Sequence, residues 1–176
     1  NDLSGYGRCS LTVAIPVLSV MGHQCCPVPT AILSNHTEFP VYFFDDYTEK
    51  MTAYTDKWKE LGLSFDAVAT GFLGSEAQIE IVMDMIRKLE SEETFVVVDP
   101  VMGDHGHAYE TYTPEMCEQM KELVGMADIV LPNVTECCIL TDTPYKKENW
   151  TRRELLNMAM MLRLMGAKSV VITGVR

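Results

Sequence analysis

Short apolar runs alternate along this chain with longer stretches in which apolar residues recur every three or four positions. The short runs predict buried strands, and the longer pattern predicts amphipathic helices. We expect strands over residues 24–28, 67–70, 95–99, 129–131 and 169–173, and helices over 8–21, 48–61, 75–89, 113–124 and 151–165. Strands that alternate with helices form a mainly parallel sheet, so the pattern predicts an α/β domain.

Local signals mark where three of the helices begin. Residues 75–78 and 151–154 have the spacing of a capping box, in which two side chains three residues apart bind each other's backbone N–H groups. Thr113 precedes Pro114, and proline loses no hydrogen bond at the first position of a helix. We therefore expect helices to start at these three points.

The size and charge of the chain narrow its function. Its 176 residues suit a single domain over 1–176, which buries roughly 70% of the surface of the unfolded chain. The net charge is −11 and the fourteen basic residues are scattered, so the basic patch that nucleic acid requires is missing. No apolar run is as long as a membrane span, and no signal-peptide pattern is present. We expect a small-molecule ligand, with no nucleic-acid or membrane partner.

The six cysteines indicate a reducing compartment. None belongs to a C-x-x-C pair, and the two adjacent doublets at 25–26 and 137–138 suit neither a zinc site nor a disulfide framework. We expect free thiols and a cytoplasmic location.

Both ends of the sequence lie beside predicted sheet elements. The chain opens with Asn1 on a glycine-containing loop, and it closes at Arg176 soon after the last predicted strand. Native proteins usually cover the apolar edge that such a strand would leave. We therefore expect a strand before Asn1 and further covering elements after Arg176.

Residues 96–104 contain the strongest chemical pattern, an apolar β-branched run that ends in two carboxylates. Asp99 comes at the end of the predicted strand, where ligands of open α/β sheets bind. Pro100 keeps Asp99 extended, and Gly103 allows a turn that brings Asp104 back toward it. This spacing allows both carboxylates to share one Mg²⁺ environment. The alternative is that Asp99 and Asp104 only form turns by binding their own backbone.

Small and polar residues also occupy the loops that follow strands or expected strands. These loops cover residues 1–7, 34–37, 99–104 and 131–136. Asn133 and Glu136 are three residues apart across a helix start, so both side chains can face one point. The alternative is that Asn133 or Thr135 is an N-cap and Glu136 interacts with the helix dipole. Neither a Walker A motif nor a complete G-x-G-x-x-G occurs, so a different kind of phosphate site is needed.

Together these loops resemble the pyridoxal kinases and hydroxymethylpyrimidine kinases of the ribokinase-like superfamily. The motifs that carry the resemblance are Asp99-Pro100-Val101-Met102-Gly103-Asp104, Leu131-Pro132-Asn133 with Glu136, and Ser34-Asn35-His36-Thr37. They occur jointly, and the similarity spans essentially the whole chain. The resemblance implies a ribokinase-like three-layer sandwich with a mainly parallel central sheet, truncated at both ends.

The resemblance also implies a role for individual side chains. The implied substrate-binding residues are Asp2, Ser4, Thr37 and Phe72. The implied ATP-binding residues are Asp104, Asn133, Glu136 and Thr173, and the implied Mg²⁺ ligands are Asp99, Asp104 and Glu136. Thr173 has an equally simple alternative, that of a β-branched residue closing a strand.

Three features depart from the family pattern. The glycine-rich G-x-G-D segment, which supplies the family's catalytic aspartate, does not occur, so no catalytic residue is assigned in this chain. Leu131 stands where pyridoxal kinases commonly have Thr, which leaves a monovalent cation near the phosphates as an open question. The opening residues 2–5 are as similar to the hydroxymethylpyrimidine kinases as to the pyridoxal kinases.

The implied activity is ATP- and Mg²⁺-dependent phosphorylation of the 5-hydroxymethyl group of pyridoxal or a related B6 vitamer, as in vitamin B6 salvage. The resemblance also implies a homodimer, and it implies that this chain alone is inactive because the catalytic segment is missing. Two alternatives within the family are a hydroxymethylpyrimidine kinase of thiamine biosynthesis and a non-catalytic B6-binding module. A generic alternative is an unrelated doubly wound domain whose acidic loops only cap helices.

Overall fold

The computed structural model describes residues 1–37, 39–89, 91 and 93–175. Within these residues the chain alternates between strands and helices. The helices are α1 (Ser10–Val20), α2 (Thr48–Glu60), α3 (Glu76–Leu89), α4 (Pro114–Gly125), α5 (Val134–Leu140) and α6 (Arg152–Leu164). The strands are β1 (Leu3–Tyr6), β2 (Ala31–Asn35), β3 (Phe44–Asp46), β4 (Ala67–Ala69), β5 (Phe95–Val98), β6 (Gly103–Asp104), β7 (His107–Ala108), β8 (Ile129–Val130) and β9 (Ser169–Val170).

The strands form two larger sheets and one small hairpin. The main sheet has the order β4-β5-β8-β9, and every neighbouring pair in it is parallel. The second sheet has the order β1-β2-β3, with β1 parallel and β3 antiparallel to β2. Strands β6 and β7 form an antiparallel hairpin. The predicted α/β class with a mainly parallel sheet is confirmed.

The core lies on one face of the main sheet. Val96, Val98 and Val130 are at most 3% exposed and belong to one apolar cluster with side chains of α3, α4, α5 and α6. Successive strand residues point to opposite faces. Phe95, which neighbours Val96 on the strand, is 43% exposed. Among the described residues, the face that carries Phe95 is therefore less covered than the face against the helices.

Three sequence expectations about strands are wrong. Residues 24–28 form no strand, because Pro27 and Pro29 have no backbone N–H to donate to a neighbouring strand. The sequence predicts loops at 1–7 and 34–37, yet residues 3–6 form β1, residues 34–35 end β2, and the two strands pair in parallel with Leu3 opposite Ile32. Polar and glycine residues have weak strand propensity, and here the partner strand decides the structure.

The predicted helix starts are confirmed in position. Thr113 caps α4 by accepting the Met116 N–H at 3.1 Å, and the capping box at 151–154 is complete. The box expected at 75–78 is only half present, because the Gln78 side chain accepts the Gly74 N–H rather than that of Ser75. None of the helices described is both long and apolar enough to span a membrane.

Candidate functional site

The carboxyl ends of the parallel strands bring several predicted residues to one edge of the main sheet. Asp99 follows β5, and Asn133 follows β8 and forms an isolated parallel bridge with Thr173, beyond β9. The Leu131 N–H donates to the Val98 carbonyl at 2.9 Å, and the Thr173 N–H donates to the Pro132 carbonyl at 2.8 Å. The segments that follow β5, β8 and β9, all predicted to contact ligand, therefore lie side by side, as expected for this class of sheet.

Glu136 is the most constrained carboxylate at this edge. Its side chain is only 3% exposed, and its Oε2 accepts the Asn133 N–H at 2.7 Å. Asn133 Oδ1 in turn accepts the Glu136 N–H at 3.0 Å, which completes a capping box at the start of α5. Glu136 Oε1 accepts the Met102 N–H at 3.0 Å from the segment after β5. The capping alternative for Asn133 is thus present in the structure, and Glu136 also joins two strand ends.

Asn133 extends this arrangement to the turn that carries Asp104. Its Nδ2 donates to the Gly103 carbonyl at 2.8 Å. Gly103 lies in the β6–β7 hairpin, where an added Cβ would come within 2.2 Å of the His107 carbonyl oxygen. Glycine is required at this close approach of two backbones. We call the group formed by Asp99, Met102, Gly103, Asn133 and Glu136 the strand-end corner.

Burial raises the pKa of two carboxyls in the strand-end corner. Burial raises the pKa of Glu136 to about 7, helped by the charge of Asp99 and opposed by the backbone N–H groups it accepts. Burial also raises the pKa of Asp99, against a hydrogen bond from the Val101 backbone. A bound divalent cation would favour the charged form of both groups.

The carboxylates at this edge would hold a magnesium ion only if water and phosphate completed most of its shell. No group of three or more His, Cys, Asp or Glu side chains in the described ranges is placed to hold a metal ion. Both Glu136 oxygens already accept backbone N–H groups, whereas Asp104 is exposed and uses Oδ1 for the His105 N–H at 2.7 Å. Mg²⁺ commonly takes only one or two protein carboxylates and completes its shell with water and substrate phosphates. The donor set fits that type of site.

A cleft of about 500 Å³ opens beside Asp104. It is lined on one side by Asp104, Asn133 and Thr135, and on the other by the segment that follows α5, including Tyr145 and Lys147. Lys147 forms no ion pair with any residue that the structure describes. Sequence reasoning missed this lining because the segment lies in a loop whose return to the sheet edge no local pattern indicates.

The predicted substrate residues near the N-terminus lie below the surface. Asp2 and Ser4 are 8% and 1% exposed, and the Ser4 hydroxyl donates to Asp2 Oδ2 at 2.9 Å. The Ser10 hydroxyl donates to Asp2 Oδ1 at 2.5 Å. Both carboxylate oxygens of Asp2 are therefore bound by hydroxyls of its own segment, an arrangement that ties β1 to the start of α1.

Thr37 and Phe72, the other two predicted substrate residues, lie in different loops. Thr37 is exposed just beyond β2, and Phe72 is partly buried after β4. Asn1 Oδ1 accepts the Phe72 N–H at 3.2 Å, and the Thr30 hydroxyl donates to the Phe72 carbonyl at 3.0 Å. These two bonds hold the Phe72 backbone against the N-terminal sheet.

An aromatic cluster that the sequence did not indicate stands beside Thr37. The His36 and Phe39 ring centroids are 4.7 Å apart, and the Tyr6 and Phe39 centroids are 5.7 Å apart. Gly7, with φ +128°, lies under His36, since a Cβ there would be 2.6 Å from the imidazole Cδ2. The three rings come from β1 and from the segment after β2, which explains why no single sequence window shows them.

Comparison with known proteins matches residues 15–176 to a family described as phosphomethylpyrimidine kinase. The pyridoxal kinase of Dictyostelium discoideum is 30% identical over 168 residues, which cover 92% of this chain and 53% of that protein. The pyridoxal kinase of Bos taurus is 29% identical over 170 residues, covering 89% of this chain and 51% of that protein. The chain thus spans about half the length of these curated relatives.

Solved structures share the fold over nearly the whole chain. A candidate phosphomethylpyrimidine kinase from Bacteroides thetaiotaomicron has a TM-score of 0.96 at 46% identity, covering 99% of this chain and 60% of that one. A second crystal form of it, with pyridoxal, has a TM-score of 0.94 and covers 99% and 61%. Pyridoxal kinase from Lactobacillus plantarum has a TM-score of 0.90 at 30% identity, covering 99% and 62%. The chain has the ribokinase-like fold and belongs to the phosphomethylpyrimidine kinase family.

Proposed function

We propose that this chain forms the substrate side and part of the nucleotide side of a kinase that transfers the γ-phosphoryl group of ATP to the 5-hydroxymethyl group of a B6 vitamer. The observation that carries the proposal is the 46% identity, over 99% of this chain, to a structure that contains pyridoxal. The strand-end corner supports it, because it gathers carboxylates at the sheet edge where phosphates bind in α/β proteins.

Phosphoryl transfer depends mainly on positioned reactants and neutralised charge. The chain has a net charge of −11, so its carboxylates repel ATP unless a cation is bound. Asp99 and Asp104 would hold Mg²⁺, which when bound neutralises the phosphates and orients the γ-phosphoryl group. Glu136 would act through water and through its charge, since both of its oxygens accept backbone N–H groups. Asn133 and Thr173 complete the proposed ATP side.

Asp2, Ser4, Thr37 and Phe72 are proposed to form the vitamer side. Phe72 supplies an aromatic face for a pyridine ring, and Thr37 supplies an exposed hydroxyl. Asp2 and Ser4 would lie below the surface of the vitamer side, because Ser4 is hydrogen-bonded to Asp2 and both residues are buried. This side orients the ring so that its hydroxymethyl oxygen faces the γ-phosphoryl group.

Pyridoxal phosphorylation with Mg-ATP tests the proposal. The 176 residues contain no G-x-G-D segment. We therefore propose that this chain alone binds pyridoxal but does not phosphorylate it. The assay compares this chain with the product of its full reading frame. Activity confined to a longer product that contains G-x-G-D supports the kinase. Pyridoxal binding without activity in either protein would instead support a non-catalytic B6-binding module.

A hydroxymethylpyrimidine kinase is the second candidate, because the matching family is described as phosphomethylpyrimidine kinase. Both substrates present a hydroxymethyl group on an aromatic nitrogen ring. The ratio of kcat/KM for pyridoxal to kcat/KM for hydroxymethylpyrimidine separates the two candidates. A ratio above one supports a B6-vitamer kinase, and a ratio below one supports a hydroxymethylpyrimidine kinase.

We also propose that the protein is a homodimer. Val13, Val17 and Val20 form an apolar stripe on α1 and are 38%, 50% and 88% exposed. Val41 and Phe43, beside β3, are 79% and 64% exposed. Such surface on one protein usually marks an interface. Sedimentation equilibrium tests this, and a Val17→Lys variant should shift the protein toward the monomer.

The state of the cysteines supports a reducing location. All six are free, and Cys137 and Cys138 are buried. Burial raises the pKa of Cys137 to about 12, which keeps it a thiol at neutral pH. We propose that the protein works in the cytoplasm, and localisation of a tagged protein in its own cell tests this.

A further inference from the structure

Gln78 is a buried amide whose bonds leave its own helix. It lies in the first turn of α3 and is 1% exposed. Its Oε1 accepts the Gly74 N–H at 2.8 Å. Its Nε2 lies 2.9 Å from the Thr30 carbonyl, 2.8 Å from the Thr48 hydroxyl and 3.2 Å from Asp46 Oδ1. Every polar atom of the side chain is therefore used.

These partners belong to both sheets of the protein. Gly74 lies in the loop after β4 of the main sheet, whereas Thr30 precedes β2 of the second sheet. Asp46 and Thr48 lie where β3 leads into α2. Gln78 is thus a single side chain that holds the loop after β4 against the second sheet.

A second bond closes the connection at Phe72. Gln78 holds the Thr30 carbonyl, and the hydroxyl of the same Thr30 donates to the Phe72 carbonyl at 3.0 Å. The Phe72 N–H is held by Asn1 at 3.2 Å. The Phe72 backbone is therefore held at both its N–H and its carbonyl, and Thr30 lies one residue before the strand that leads to Thr37. We call the group of Asn1, Thr30, Phe72, Gly74 and Gln78 the inter-sheet contact.

A helix cap alone would not require this arrangement. A glutamine at this position can satisfy a cap by accepting the N–H of Ser75, but it binds Gly74 instead. A methionine of similar volume would fill the space without a polar group to satisfy. The buried amide specifies one orientation of the loop, because hydrogen bonds in a buried network depend on distance and angle.

We propose that Gln78 is a positioning residue that sets the placement of Phe72 relative to β2 and so shapes the ring-binding side of the vitamer site. This inference rests on the proposed function. Gln78 need not touch the ligand; it acts through Thr30 and through the loop after β4. Its loss should weaken binding of the pyridine ring and leave Mg-ATP binding unchanged, because the strand-end corner does not depend on it.

The test uses Gln78→Met, with Gln119→Met as the matched control. Gln119 lies on α4 and its Nε2 donates to Glu80 of α3 at 3.2 Å, so the control removes a glutamine bond between helices away from the inter-sheet contact. Thr30→Val is a second variant that removes only the hydroxyl bond to Phe72. Two readouts are taken on each protein: amide hydrogen exchange at Phe72 and Gly74 without ligand, and the Kd values for pyridoxal and for Mg-ATP.

We expect Gln78→Met to raise exchange at Gly74 and Phe72 and to raise the pyridoxal Kd about tenfold, because a displaced Phe72 would lose its aromatic contact with the pyridine ring. Thr30→Val should raise exchange at Phe72 and weaken pyridoxal binding in the same direction. Mg-ATP binding should stay within twofold in every variant, and Gln119→Met should match the wild type.

A pyridoxal Kd in Gln78→Met within twofold of the wild type overturns the inference while leaving the proposed function in place. Equal loss of pyridoxal and Mg-ATP binding also overturns it, since that result indicates general loosening. If Gln78→Met does not fold, Thr30→Val decides by the same criteria. No pyridoxal binding by the wild-type chain overturns the proposed function itself, and with it the role of Gln78 toward this ligand.

Discussion

The strand-end corner and the inter-sheet contact are held together in different ways. In the strand-end corner, one carboxylate accepts N–H groups from two strand ends, and the key pair, Asn133 and Glu136, is only three residues apart. In the inter-sheet contact, side chains link positions up to 71 residues apart, as between Asn1 and Phe72. One side of the proposed site is therefore held by contacts within a few residues, whereas the other forms only when the two sheets pack against each other.

The difference extends to the surfaces around each region. The apolar side chains of Met102, in the strand-end corner, and of Val98, next to it, are fully buried. In the second sheet, Phe43 and Phe44 remain 64% and 46% exposed. Elements with fewer buried apolar contacts open more easily. We therefore expect the second sheet to be the less stable region of this chain.

Removing the Glu136 carboxyl should have the largest effect. Glu136→Ala leaves the buried N–H of Met102 and the partly buried N–H of Asn133 without partners, which we expect to lower the free energy of unfolding by about 4 kcal/mol. Urea unfolding at pH 6 measures this. Glu148→Ala, at an exposed carboxylate of the same cleft, is the control and should change the value by less than about 0.5 kcal/mol. A small effect at Glu136 would mean that the corner does not depend on its carboxyl.

The pH dependence of stability sharpens the same contrast. Glu136 has a pKa of about 7 when folded and 4.5 as its ordinary value, so between these values the folded chain binds a proton that the unfolded chain does not. Stability contributed by this group is complete below pH 4.5 and is lost as the pH rises to about 7, by about 3 kcal/mol. The stability contributed by Asp46 changes with pH in the opposite direction, because its lowered pKa makes stability fall on acidification.

Urea unfolding of the wild type and of Glu136→Gln between pH 4.5 and 8 measures this effect. The difference between the two proteins isolates Glu136, because Asp46 titrates in both. The difference in free energy of unfolding between the two proteins should change by about 3 kcal/mol across the range and stay constant above about pH 7.5. Parallel profiles for the two proteins would contradict the raised pKa.

Removing divalent metal should strongly weaken nucleotide binding without affecting the inter-sheet contact. We expect EDTA to weaken ATP binding at least about 100-fold, equal to about 2.7 kcal/mol, because unscreened carboxylates then face the phosphates. Asp104→Ala should weaken Mg-ATP binding in the same direction, with Glu148→Ala as the control. Pyridoxal binding should be unchanged by EDTA. Calorimetry measures all three, and tight metal-free ATP binding would contradict the assignment.

A pair of threonine variants gives the smallest predicted effect. The Thr70 hydroxyl is buried and has no hydrogen-bond partner among the described residues, whereas the Thr30 hydroxyl binds the Phe72 carbonyl. Thr70→Val should therefore leave the free energy of unfolding unchanged or raise it by up to about 1 kcal/mol, while Thr30→Val should lower it by about 1 kcal/mol. Urea unfolding compares them. A large loss in Thr70→Val would show that its hydroxyl has a role beyond packing.

The helices were predictable because their signals are local. Thr113 and Thr151 cap helices within three residues of themselves, and the apolar period of α3 identifies its buried face without any knowledge of its partners. The prediction of a strand at 24–28 is wrong because Pro27 and Pro29, on either side of Val28, have no backbone N–H for a neighbouring strand. Strands β1 and β2 were missed because their pairing joins residues about 29 positions apart along the sequence, a distance that pattern analysis does not cover.

The candidate site divides in the same way. Spacing alone placed Asn133 and Glu136 at one point, and the apolar run before Asp99 placed that carboxylate at a strand end. By itself, therefore, the sequence determined the α/β class, the helix starts and the local half of the strand-end corner, because each depends on interactions within a few residues. Only the tertiary structure decided that Met102 donates to Glu136, that Tyr145 and Lys147 line the cleft, and that Gln78 joins the two sheets. Those contacts bring distant segments together, and their geometry is set by how the sheets and helices pack.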